Sequence, residues 1–402
     1  MNRVVITGAG TINALGATVP QTLESMREGR LGIGVLDFRD VERLSIKIGG
    51  QVHGFDAEAH FDRQKLALYD RFTQFTLIAA REAVAQSGLT FSGELAENSG
   101  VVLGTAAGGM NTWDDNFRSV YQEGKNRVHP FVVPKLMTNA ATSHVSIAFN
   151  LQGPSLTVST ACASSNHAIG LAFQMVRSGM ARAMIAGGSE SMLTFGGIKA
   201  WEGLRVMSKT ACRPFSANRS GMVQGEGAGV FVLEAYADAK ARGAEILAEI
   251  VGFFMTSDAS DIVMPNQDGA VRAICGALRD AKMDPSEIGY INAHGTGTAA
   301  NDKTECAAIG DVFGAHADQL MISSTKSMHG HLIGATGAVE LLACVMALRD
   351  GVIAPTIGYE SADPDCALDV VPNTARDAKV TGVISNAFAF GGMNAVLALK
   401  AV

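Results

Sequence analysis

Short runs of apolar, often β-branched residues recur along this chain. Most open into glycine-rich loops, and many are followed by stretches whose apolar positions return every three or four residues. The strand-like runs are Arg3 to Ile6, Gly100 to Gly104, Ser155 to Thr160, Ala183 to Gly188 and Val230 to Glu234. A second set comprises Ile246 to Phe254, Ile288 to Asn292, a run from Met321, and the pair Val383 to Asn386 with Asn394 to Leu399. Helical spacing marks residues 21–29, 66–87, 136–149, 168–179, 269–282 and 338–349, with a further helix ending near Gly243. Residues 31–62 read as irregular, with short strand-like pieces such as Ser45 to Gly49. The order of strand, loop and helix occurs twice, which predicts an α/β fold of two duplicated halves, 1–244 and 245–402, although no internal sequence repeat is visible.

Composition narrows the class. With 402 residues, 47% hydrophobic and 18% charged, the chain suits a large, heavily buried enzyme rather than a disordered protein. A formal charge of −7 gives no general attraction to nucleic acid or to an anionic membrane, so any basic docking patch must be local. No apolar run is long enough to span a bilayer. Met1 to Gly8 enters a strand without the basic, apolar and cleavage regions of a signal peptide, and the six cysteines are scattered with no C-x-x-C. Both points predict a reduced, cytoplasmic protein.

The candidate chemistry begins at Cys162. Ser155 to Thr160 reads as a strand and Ala168, Leu171, Ala172, Met175 and Val176 as one helix face, so Cys162 falls at the junction between them. Free N–H groups and the helix dipole favour a thiolate at such a position, and a backbone N–H could steady an oxyanion. The bland alternative is a small buried cysteine. Two other strand ends present His294 and His331, and a sulfur with two imidazoles suits attack on a thioester. Lys326 is placed to hold a carboxylate such as Glu340 and to set the local potential.

Rival readings compete with this one. Gly8 and Gly10 suggest a dinucleotide turn, but Asn13 stands where the third glycine belongs, which favours a tight structural turn. His329-Gly-His331 resembles half of a zinc site without a second ligand pair. His167 reads as a packed helix residue. A papain-like hydrolase would need one histidine with an orienting Asn or Asp.

Thr160-Ala-Cys162, Asn292-Ala-His294-Gly-Thr-Gly-Thr298, Ser324-Thr-Lys326-Ser-Met-His-Gly-His331 and Phe388-Ala-Phe390-Gly-Gly392 stand in this order over nearly the whole chain. Together they resemble the β-ketoacyl-[acyl carrier protein] synthases, the elongating condensing enzymes of the thiolase superfamily. Asn166-His167-Ala-Ile169, His329 and Ser385-Asn-Ala387-Phe-Ala389 add a likeness to the nodulation-protein-E type, a relative of synthase II.

The resemblance implies a five-layered αβαβα homodimer that elongates an acyl primer with malonyl units delivered on acyl carrier protein. It implies that Cys162 carries the acyl chain, that His294 and His331 bind the malonyl thioester, and that Lys326 and Glu340 support them. The N–H groups of Cys162 and Phe390 would meet the oxyanion, with Phe390 also acting as a gate. Thr296 and Thr298 would contact the carrier's phosphopantetheine, and no redox cofactor is needed. Some relatives hold a monovalent cation near positions resembling Asn301, Glu340, Ser385 and Asn386.

Departures from the family pattern carry their own expectations. Ala387 and Ala389 replace Ser and Gly before the gate, Met393 and His329 each replace Thr, and a methyl at 389 predicts a stiffer gate loop. Ala107 and Val132 replace larger residues at the far end of the acyl pocket, which predicts longer or bulkier primers at about 0.8 kcal/mol per buried methylene. Because the carrier is acidic, Arg63, Lys65 and Lys209 are the candidate docking cations. The remaining alternatives are a partner subunit of a ketosynthase pair, which normally lacks the nucleophile, and a thiolase, which uses a second cysteine.

Overall fold

In the first half of the chain, five strands line up in the order β3-β2-β4-β5-β1, and the second half repeats that order as β8-β7-β9-β10-β6. The computed structural model covers all 402 residues. The strands are β1 (Val4–Asn13), β2 (Ser99–Gly104), β3 (Ser155–Val158), β4 (Ala183–Glu190), β5 (Gly227–Ala235), β6 (Ala248–Ser257), β7 (Ile288–Asn292), β8 (Met321–Ser323), β9 (Gly382–Ala389) and β10 (Met393–Lys400). Strand directions repeat too. β2 runs parallel to β3 and β4 as β7 does to β8 and β9, while β5 and β10 are antiparallel to both neighbours. The halves join where β1 meets β6 antiparallel, with Val4, Val5 and Ile6 opposite Ile250, Glu249 and Ala248.

Alternate residues of each strand feed different cores, which is why the strands read as unbroken apolar runs. Val101, Leu103, Ile185, Val230 and Val232 face an outer core with α1 (Arg71–Ser87) and α2 (Ala140–Phe149). Val102, Met184, Phe231, Leu233, Val383, Leu397 and Leu399 face the central core, which holds α3 (Ser164–Ser178) and α6 (Thr336–Asp350). Ile384, Val396 and Ala398 join the far outer core with α4 (Gln267–Ala281) and α5 (Ala299–Phe313). The result is the expected α-β-α-β-α succession. α6 is buried from Thr336 to Ala347 without a gap, as a helix between two sheets must be.

Several expectations need correction. Gly8 and Gly10 are not a turn but lie inside β1. A Cβ on either would stand 2.0 Å from the Ala83 carbonyl oxygen or 1.9 Å from that of Ala79, so the glycines let α1 press its backbone onto the strand. The stretch 66–87 is interrupted: a short helix, Arg63–Leu66, precedes α1, whose N-cap Asp70 accepts the Phe72 N–H. Residues 136–149 likewise split into Val132–Leu136 and α2. The helices Met110–Tyr121, Phe195–Leu204 and α5 escape the periodicity. In α5 the reason is plain, since its buried face carries Asn301, Asp302 and Glu305. No helix is long and apolar enough to cross a membrane.

Candidate active site

Cys162 is the middle residue of a single tight turn, Ala161–Ala163, between β3 and α3. Ala161 adopts φ +47, a left-handed conformation that strains any residue with a side chain. Ser164 locks the turn by accepting the Thr160 N–H at 2.9 Å and donating to the Ala161 carbonyl at 2.7 Å. The second half repeats the device: Ile333, also at φ +47, opens the turn Ile333–Ala335 before α6, and α3 and α6 are each fifteen residues long. Gly334 thus holds the place in one half that Cys162 holds in the other.

His294 follows β7 directly. Its backbone N–H and that of Gly295 donate to the Glu305 carboxylate on α5 at 2.8 and 2.7 Å, and Asn386 donates to the same carboxylate at 3.1 Å. His331 is fixed from its own turn. The Ile333 N–H donates to its Nδ1 at 3.1 Å, and Thr336 Oγ1 lies 2.7 Å from that nitrogen. A backbone N–H can only donate, so Nδ1 is the acceptor and the neutral ring carries its proton on Nε2. Nε2 is buried and has no partner.

The Cys162 sulfur and the reactive ring nitrogens of both histidines lie within 4.8 Å of one another. The imidazoles meet edge to face, 5.5 Å between centroids at 83°. Exposure is 6% for Cys162, 3% for His294 and 1% for His331. Three residues far apart in sequence therefore share one water-poor cavity.

Lys326 Nζ lies 2.6 Å from Glu340 Oε1, and both side chains are buried. Burial pushes the Glu340 carboxyl up, and Lys326 pulls it back. Burial lowers both histidines well below their ordinary value, and the Lys326 charge lowers them further, so both are neutral at neutral pH. Burial also pushes the Cys162 thiol up to about 12, against the pull of Lys326 and of the N–H groups of Phe390 and Cys162 itself. Desolvation therefore opposes the thiolate that the helix terminus favours.

His329 does not join His331 as a metal pair. Its Nδ1 is 2.7 Å from the Gly330 carbonyl and its Nε2 is 2.9 Å from Thr325 Oγ1. In the cavity, His331 offers a proton rather than a lone pair, which suits an oxygen better than a metal ion. His167 is a packed helix residue, with Nδ1 2.9 Å from Thr160 Oγ1 and 3.0 Å from the Ala163 carbonyl.

The cavity wall also contains Trp201, Val206, Met222, Thr296, Thr298, Phe388 and Phe390. The hydroxyl oxygens of Thr296 and Thr298 are 2.8 Å apart. Phe390 lines the cavity with Cys162, and its ring stacks on Trp201 at 5.8 Å and 22°. Ala389 is paired with Met393 in the ladder between β9 and β10, so the positive φ angles fall on Gly391 and Gly392 instead. Ala107 and Val132 do not line this cavity. The Ala107 N–H donates to Glu190 at 3.2 Å, and Val132 begins the short helix Val132–Leu136. Sequence reasoning missed Trp201, Glu305 and Thr336. Only the buried polar face of α5 gave a signal, as a break in its apolar rhythm.

Sequence models of the beta-ketoacyl synthase N-terminal and C-terminal domains match residues 1–239 and 247–360. The chain belongs to the beta-ketoacyl synthase family. The synthase is 46% identical over 400 residues to Nodulation protein E of Rhizobium leguminosarum bv. trifolii, covering 100% of this chain and 99% of that protein. It is 42% identical over 405 residues to 3-oxoacyl-[acyl-carrier-protein] synthase 2 of Staphylococcus aureus (strain N315), covering 99% and 98%. Among solved structures, the ishigamide ketosynthase/chain length factor superposes with a TM-score of 0.95 at 35% identity, covering 100% and 99%. A type II polyketide ketosynthase, solved in complex with its acyl-carrier protein and bound to the hexaketide, gives 0.91 at 30%, with both chains fully covered. Cys162 is the only cysteine lining the cavity.

Proposed function

We propose that this synthase performs decarboxylative Claisen condensation, extending an acyl primer held on Cys162 with malonyl-[acyl carrier protein] to give 3-oxoacyl-[acyl carrier protein]. The observation that carries the reading is the buried, partnerless Nε2–H of His331 in the same cavity as the Cys162 sulfur. In the first half-reaction the thiol proton passes to a ring nitrogen of neutral His294. The sulfur attacks the primer thioester, and the N–H groups of Cys162 and Phe390 bind the oxyanion. The carrier's thiolate leaves, takes up that proton, and the acyl–sulfur bond remains. In the second, the malonyl thioester oxygen accepts from His331 Nε2–H while the bond to the carboxylate breaks and carbon dioxide leaves. The enolate carbon then bonds to the acyl carbon, the C–S bond breaks, and the Cys162 thiolate takes up a proton from solvent. Apolar Phe388, 6.2 Å from His294 between ring centroids, favours loss of the neutral gas over retention of a carboxylate.

Lys326 and Glu340 act as the supporting pair, Thr296 and Thr298 as the phosphopantetheine contacts, and Phe390 as the gate. Acyl carrier protein is the proposed partner, supported by the carrier complex of the polyketide relative. Exposed Lys209, and Arg205 beside the cavity residue Val206, are the better docking cations. Lys65 is already paired with Asp62 at 2.8 Å. A homodimer is supported by β3, which ends the sheet with one edge unpaired, and by exposed Phe117, Tyr121, Phe131, Val133 and Ile147 nearby in sequence. The six free cysteines support a cytoplasmic setting. No redox cofactor enters these steps. For a structural monovalent cation, the buried, partnerless Oδ1 of Asn386 is a fitting ligand. Intact-mass analysis after incubation with acyl carrier proteins of graded chain length tests the reading: one acyl group on Cys162 is expected, and its absence with every primer rejects the proposal.

A further inference from the structure

We propose that Trp201 is a positioning residue that holds Phe390, and through it the backbone N–H proposed above to bind the oxyanion. The inference rests on the reading of Cys162 as the acyl acceptor. The ladder between β9 and β10 ends at the pair Ala389 and Met393, so Phe390 is the first residue of the turn without a strand partner. Beyond it the backbone is tied down. The Gly391 N–H donates to the Ile262 carbonyl at 2.8 Å, the Gly392 N–H to Ala389 at 3.0 Å, and the Asp258 N–H to Gly392 at 2.9 Å. Phe390 itself lines the cavity beside Cys162 and rests its ring on Trp201. A near-parallel stack at 5.8 Å lies within the range where aromatic pairs attract beyond simple burial.

Trp201 is carried by an element anchored apart from that turn. Its helix, Phe195–Leu204, is capped by Thr194, which accepts the Gly197 N–H at 3.1 Å. Glu202, the next residue, accepts the N–H groups of Ser45 and Ile46 at 2.6 and 2.9 Å. The indole is therefore a fixed wall against which the Phe390 ring is registered. Without it, the N–H that should meet the oxyanion is aligned for a smaller fraction of the time.

The test compares the unaltered chain with Trp201→Phe, Trp201→Leu, Phe390→Leu and Trp201→Leu/Phe390→Leu. Acyl transfer from saturating acyl carrier protein to Cys162 is followed by time-resolved intact mass, and alkylation by iodoacetamide, which forms no oxyanion, is followed in parallel. Losing the stack should slow acylation roughly 2- to 12-fold in Trp201→Leu, the size of an aromatic pair. Trp201→Phe should recover most of the rate, alkylation should be unchanged, and the double variant should be no slower than the slower single. Undiminished acylation in Trp201→Leu overturns the proposal, as does a Trp201→Phe variant as slow as Trp201→Leu or a parallel fall in alkylation. An unaltered chain that is never acylated rejects the nucleophile itself, a different failure.

Discussion

The Ile333 N–H and His331 Nδ1 are 3.1 Å apart, and this bond settles which side of the imidazole holds the proton. Ile333 also opens the next turn, at φ +47. The second half thus sets a ring N–H in the same cavity as the sulfur from the first half. His331→Ala should reduce carbon dioxide release from malonyl-[acyl carrier protein] by about 10²–10³-fold, as losing one oxyanion donor does elsewhere. His331→Gln, which keeps an N–H donor, should lose less, and both should still acylate Cys162. Equal losses of release and acylation would contradict the division of labour.

The buried pair of Lys326 and Glu340 makes a stability prediction. Lys326→Met leaves a carboxylate without its partner in the interior, at a cost of about 3–5 kcal/mol. Lys326→Met/Glu340→Leu removes the stranded group and should melt above the single variant. Thermal unfolding of the three proteins measures this, and a double variant less stable than the single would refute it.

A thiol pushed up to about 12 by burial ionises late. Carbamidomethylation of Cys162 should therefore keep rising by nearly tenfold per pH unit through and beyond the ordinary thiol value of 9.0. Peptide mapping separates it from the other cysteines, and a plateau near 9 would count against desolvation as the controlling effect.

Both cavity histidines, His294 and His331, are depressed below 6.5, mainly by burial. They stay neutral as pH falls through that value, so the acid limb of kcat/KM should lie below 6.5. Linkage fixes the stability sign: below 6.5 the unfolded chain binds more protons than the folded one, so acidification destabilises the fold. A His294→Asn/His331→Asn variant should lose less stability between pH 7 and 5 in denaturant titrations. An identical loss would assign the effect to other groups.

The amino-acid sequence determined the alternation of strands and helices, the strand-to-helix place of Cys162, and the motifs around His294, Lys326 and His331, because each depends on near neighbours in the chain. It did not show the matching strand order of the two halves, since that symmetry lies in pairings between distant segments whose residues have diverged. Gly8 and Gly10 imitate a turn until α1 is seen lying against them. Asn301, Asp302 and Glu305 hide a helix because they are buried to hold the His294 loop, where polar groups replace the apolar stripe. The helix terminus that favours a thiolate is a local feature, whereas the desolvation that opposes it depends on everything folded around the sulfur. Only the tertiary structure decided the desolvation of Cys162, the meeting of His294 with His331 and the stacking of Phe390 on Trp201. Each of these is a contact between segments that become neighbours only when the two sheets close over the central helices.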